Sequence, residues 1–117
     1  MSVWPVPLVE ERPEATLESW NAYEVQIPSF PSPTRHLAGY AAEDREGRVT
    51  SSIVEFDPVS RKVRTASGRV YRLSGGPGAN LDADYVWGRW VRLNDAQVLK
   101  DVTAEFRATP AAPRRPK

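Results

Sequence analysis

The chain has no cysteine, one histidine and one methionine among its 117 residues. Without a thiol there can be no disulfide framework, thiolate metal site or thiol nucleophile, and a reducing, cytoplasmic setting is expected. With a single histidine, His36, any general base or triad of the usual kind has only one candidate. It falls in an expected strand beside Arg35 and not at a glycine-rich turn, so a structural or surface histidine is the better reading. Long apolar runs are also missing: none approaches the roughly 18 residues that span a bilayer. The opening MSVWPVPLVEER lacks a basic segment followed by an apolar one, so secretion and membrane insertion are disfavoured.

Acid is missing where it is most informative. From Pro58 through Leu81 there is no Asp or Glu, while Arg61, Lys62, Arg64, Arg69 and Arg72 supply a local charge of +5. The overall formal charge of +1 conceals this, because positions 1 to 34 carry only Arg12 against Glu10, Glu11, Glu14, Glu18 and Glu24. After Phe106 the tail RATPAAPRRPK holds Arg107, Arg114, Arg115 and Lys117 with no acid.

What is present in excess is proline, and it is unevenly placed. Of the 11 prolines, Pro5, Pro7, Pro13, Pro28, Pro31 and Pro33 precede position 34, and Pro110, Pro113 and Pro116 fall in the tail. Proline fixes φ and removes a donor, so VWPVPL and IPSFPSP favour extended irregular chain. The organisation expected is a proline- and aromatic-rich arm at 1–34, one β-rich domain at 35–104 and a basic tail at 105–117. Trp4, Trp20, Tyr23 and Phe30 are too apolar for a free linker, so the arm, through Trp4, Trp20 and Phe30 above all, is expected to lie against the domain or a partner.

Between the arms, RHLAGYAA and RVTSSIVEF read as a hairpin around EDREG. DPVS turns the chain into KVRTA, and Ser67-Gly68 returns it as RVYRL. Pairing these last two places Val63, Thr65 and Tyr71 on one face and Lys62, Arg64 and Arg72 on the other. SGGPGAN then breaks the strand pattern. Asn80 is a good N-cap, Asp82 and Asp84 suit a first helical turn, and Ala83, Val86, Trp87, Trp90 and Leu93 recur at helical spacing, so Leu81 to Leu93 is expected to be helical. Gly88 weakens that reading, and a strand over YVWGRWVRL is the alternative. AQVLKDVT offers a last strand. The fold expected is mainly β with one helix: a small, strongly bent antiparallel sheet or SH3-like barrel of about five strands with the helix before the last, or a flatter α+β sandwich. Ile53, Phe56, Val63, Tyr71, Val86 and Trp90 are the expected core.

Chemistry-bearing motifs are weak. GGPG lacks the lysine and hydroxyl of a Walker loop and the spacing of a dinucleotide fingerprint, so turn chemistry explains it. Asp82 and Asp84 lack further ligands for a metal, and no cofactor is expected. Ser51, Ser52 and Thr50 carry no signature of an activated nucleophile. No catalytic residue is assigned. Arg61, Lys62, Arg64, Arg69 and Arg72 form a ribbon able to track phosphates or acidic side chains, with Tyr40, Tyr71 or Tyr85 available to stack on bases if exposed.

The block HLAGY, GRVTSSIVEFDP, SGRVYRLSGGPG and DADYVWGRW resembles small accessory proteins carried by plasmids, phages and integrated elements of proteobacteria. It covers roughly positions 35 to 103. The resemblance implies no catalytic residue or cofactor; it implies a context in which stoichiometric binding is common, including inhibition of host defence complexes. The function expected is a non-enzymatic protein-binding adaptor or inhibitor, with a nucleic-acid-binding module built on the 61–72 hairpin as the alternative. A protein partner is expected, no membrane, and a homodimer is left open.

Overall fold

Residues Glu14–Gln26 form the longest strand, β1, and it lies inside the sheet. The structure, a computed structural model, describes residues 8 to 107. Seven strands and one helix follow in the order β1, β2 (Thr34–Ala41), β3 (Glu46–Val49), β4 (Ile53–Asp57), β5 (Lys62–Thr65), β6 (Val70–Leu73), α1 (Leu81–Leu93) and β7 (Gln97–Asp101), closed by a 3-10 turn at Thr103–Phe106. The ladder runs β3-β2-β1-β6-β5-β4, with β7 paired to β1 beside it. It is mixed: β1 pairs antiparallel with β2 and β7 but parallel with β6.

The reading of 1–34 as an arm outside the domain is therefore corrected over Glu14–Gln26. Prolines flank this stretch at Pro13 and Pro28 but none interrupts it, so every amide is free to join a ladder. Its apolar pattern is hidden by a bulge. Ala15 and Leu17 point into the core, as do Trp20 and Ala22, a change of parity that needs one extra residue. The pairing skips between Glu18 and Asn21, and Ser19 takes a φ of 48° to absorb it. Opposite the bulge stands Gly39, where a Cβ would lie 2.8 Å from Leu17 Cγ and 3.1 Å from the Trp20 Cα.

RVTSSIVEF is two strands and not one, which with β1 raises the expected five strands to seven. The break at Thr50 to Ser52 is held by hydroxyls: the Leu37 amide donates to Thr50 Oγ1 at 3.1 Å, and the Ser67 amide donates to Ser51 Oγ at 3.0 Å. Such side chains satisfy the backbone outside a ladder and so end strands. Only these residues separate β3 from β4, although the two occupy opposite ends of the strand order. The short link draws the ends of the sheet toward each other.

The main core lies on one face, where Trp20, Leu17, Leu37, Ala41, Val63, Tyr71, Leu73, Val102 and Phe106 pack together with Ile53 and Phe56 partly buried at its margin. The β5–β6 register pairs Lys62 with Arg72 and Val63 with Tyr71, so Val63, Thr65 and Tyr71 are buried and Lys62, Arg64 and Arg72 face outward. Helix α1 occupies 81–93 as its cap and spacing require: Asn80 Oδ1 accepts the Ala83 amide at 2.9 Å. Its Ala83 and Val86 are buried, and the chain passes so close to β3 that a Cβ on Gly47 would sit 2.6 Å from the Asp82 carbonyl carbon. Trp90, expected in the core, is half-buried under the helix instead.

Candidate functional site

The five basic residues of the 61–72 segment do not share one face. Arg61 and Arg69 are turned inward. The Arg61 guanidinium lies 5.8 Å from the Trp20 ring centroid and donates to the Phe106 carbonyl at 3.3 Å. Arg69 is 3% exposed and donates through Nε to the Arg12 carbonyl at 2.8 Å. Lys62, Arg64 and Arg72 share the outer face, but Lys62 meets Glu14 at 3.1 Å, Arg64 meets Glu55 at 2.9 Å, and Arg72 donates to Thr16 Oγ1 at 3.1 Å. The acid that is absent from 58–81 is brought in by β1 and β4. An open depression of about 230 Å³ on this face is lined by Glu55, Asp57, Ser60, Lys62, Arg64 and Val70, a mixed surface and not a cationic one.

His36 is buried at 3% exposure, with Nδ1 2.9 Å from the Thr50 carbonyl and Nε2 2.8 Å from Thr34 Oγ1. Burial pushes its pKa below the ordinary value, against the Thr50 hydrogen bond. A neutral ring donating from Nδ1 and accepting at Nε2 satisfies both contacts. Among the described residues no group of three or more His, Asp or Glu could hold a metal ion. A second polar knot is structural: Arg48, 1% exposed, pairs with Asp44 and Glu46 at 2.9 Å each, and Asp44 also takes Arg12. Burial works against the Asp44 charge, yet hydrogen bonds from Arg12 and Arg48 hold its carboxyl below the usual range.

Of the arm residues, Trp20 is fully buried in the core, Phe30 is 41% exposed in the turn after β1, and Trp4 lies outside the described residues, as do Arg114, Arg115 and Lys117. Tyr71 is buried, Tyr40 is half-buried and Tyr85 is exposed.

The surface that sequence reasoning missed is assembled by β1, α1 and β7. Tyr23 stacks on Trp87 with ring centroids 4.6 Å apart, Trp87 stacks on Trp90 at 5.3 Å, and Trp90 tilts over His36 at 4.6 Å. Tyr23, Trp87 and Trp90 remain half-exposed. The Tyr23 phenol is pushed up in pKa by its partial burial and then by the negative charges of Asp101, its pairing partner on β7, and Asp84. Strand β7 completes the surface. Tyr23 pairs with Asp101 and Val25 with Val98, yet every residue of β7 is exposed, with Val98 at 44% and Leu99 at 43%. Among the described residues β7 pairs with β1 alone, so its outer edge presents unpaired backbone groups. The signal in the sequence was the 3-residue step between Trp87 and Trp90, read there as helical spacing over the sheet with Trp90 assigned to the core. Among the described residues no helix is long and apolar enough to cross a membrane. No protein-family model, curated protein or solved structure matches this chain.

Proposed function

We propose that this protein is a non-enzymatic binding module that takes an extended segment of a partner protein along the free edge of β7, beside the Tyr23–Trp87–Trp90 stack. The observation that carries the reading is β7 itself: an unpaired edge with two exposed apolar residues, set against half-exposed aromatic rings. Strand addition lets main-chain hydrogen bonds supply affinity while side chains at alternate positions supply selectivity. The aromatic faces and the carboxylates of Asp84 and Asp101 fit a basic or aliphatic side chain on the incoming strand, through cation–π attraction and charge. Stoichiometric binding of this kind suits an adaptor or inhibitor acting in the cytoplasm. A mobile-element setting, with a host defence complex as target, rests on the resemblance of the 35–103 block alone.

A nucleic-acid role for the 61–72 hairpin is less well supported. Two of its five cations are turned inward and the outward ones stand among Glu14, Glu55 and Asp57, which leaves little net positive field to attract phosphates.

The test begins with linear peptides selected from a displayed random library on the wild-type protein. Their affinity is then measured, by tryptophan fluorescence, for wild type, Trp87→Ala and a Lys62/Arg64/Arg72 triple-alanine variant. Trp87→Ala is expected to weaken binding about tenfold or more, the scale of a central aromatic contact, and the triple variant to bind as wild type. The reverse pattern would transfer the site to the hairpin.

A further inference from the structure

The outward face of α1 carries a feature that the β7 surface does not use. Leu81, Tyr85, Gly88 and Arg92 follow one another at steps of four, three and four along the helix, which stacks them in a single stripe on the side away from Ala83 and Val86. This stripe is open: Leu81 is 88% exposed and Tyr85 53% exposed. Gly88 weakens the helix and has no packing reason among the described residues, where the only neighbour a Cβ would meet is the end of the flexible Arg92 side chain at 3.6 Å. Beside the stripe, Arg89 lies 6.0 Å from the Tyr85 ring centroid, and among the described residues its buried Nε has no hydrogen-bond partner. The charges are sorted along the axis, with Asp82 and Asp84 in the first turn and Arg89 and Arg92 toward the end.

We infer that this stripe is a contact between two copies of the chain, packed helix against helix in antiparallel sense about a two-fold axis. A stripe with this spacing is complementary to itself when reversed. Centred between positions 86 and 87, the pairing sets Tyr85 of each copy into the notch left by Gly88 of the other and lays the Arg92 stem over Leu81. In an antiparallel pair, flanking positions on the same side meet, so Asp82 of each copy faces Arg89 of the other, and the two-fold axis makes that ion pair twice. The glycine, the exposed tyrosine and the sorted charges then have one explanation. A parallel pairing would place like charges together, which selects the antiparallel sense. Four turns of helix span about 20 Å. The contact therefore falls at the small end of interfaces and the association is weak, in roughly the micromolar to millimolar range.

Sedimentation equilibrium over a concentration series reads this directly. Wild type should rise above the 13.1 kDa of one chain toward twice that mass as concentration increases. Asp82→Arg alone and Arg89→Asp alone should each stay at one chain while keeping the far-UV spectrum of wild type, and the double exchange should restore association. Wild type that stays at one chain throughout the series overturns the proposal. So does association unmoved by either single exchange, which would put the contact elsewhere, or a folded double variant that fails to associate. Since β7 is untouched by these changes, peptide binding there stands or falls separately.

Discussion

At the scale of single residues, the two glycines Gly39 and Gly88 make opposite demands. Gly39 faces the β1 bulge with backbone and the Leu17 side chain within 2.8 to 3.1 Å of any Cβ, so Gly39→Ala forces a shift in a packed region and is expected to destabilise by about 1–3 kcal/mol. A Cβ at Gly88 would meet only ordinary contact with the Arg92 side chain at 3.6 Å among the described residues, so Gly88→Ala is expected to stabilise the single chain by about 0.5–1 kcal/mol through the helix. Urea unfolding of both variants in dilute solution checks the pair; a neutral Gly39→Ala would remove the bulge from the account. His36 supplies a pH test. Its folded pKa lies below the ordinary 6.5 because of burial, so the folded state favours the neutral ring, and the unfolded chain binds its proton first. Its contribution is complete above that pH and is lost as pH falls from 6.5 toward the folded value. Stability should therefore decline with acidification in this window, and His36→Gln should flatten the decline. An equal slope in both proteins would mean that another group titrates.

At the scale of elements, those with an uninterrupted local signal were legible. Helix α1 was readable to its bounds because Asn80 caps it, Asp82 and Asp84 suit its start, and Ala83, Val86 and Trp90 keep one period throughout. The β5–β6 hairpin was readable because Gly68, with φ at 94°, fixes the turn and a strict alternation follows from it. Strand β1 was not, since the bulge at Ser19 changes the side on which apolar residues fall, and neighbouring prolines suggested an arm. The hairpin charges were seen and their partners were not: Glu14 comes from β1, remote in sequence, and Glu55, though only nine residues from Arg64, meets it through the β4–β5 register, which the break at Thr50 to Ser52 obscured. The β7 surface was equally hidden: nothing in QVLKD says that its outer edge is left unpaired. The hairpin reading can be measured. If Lys62, Arg64 and Arg72 tracked phosphates, the logarithm of oligonucleotide affinity would fall against that of salt with a slope of about −2 to −3, and alanine at all three would flatten it. The expected result is negligible oligonucleotide affinity, unchanged in the triple variant.

At the scale of the whole molecule, the fold depends on the segment that precedes position 34. β1 joins the β2–β3 edge to the β6–β5–β4 edge and also carries β7, so removing it leaves three groups of strands with no common partner. A chain of residues 34–117 should show no cooperative melt, whereas the full chain should; a cooperative transition in the fragment would mean that the rest of the sheet closes without β1. The same strand carries Tyr23, so the framework and the proposed binding surface share one element. The most direct test of that surface is a backbone and indole NMR titration of the full chain with a selected linear peptide. Shifts are expected to concentrate at Gln97–Asp101 and at the indole N–H signals of Trp87 and Trp90. Shifts confined to Lys62, Arg64 and Arg72, with β7 and the indoles unmoved, would contradict the account.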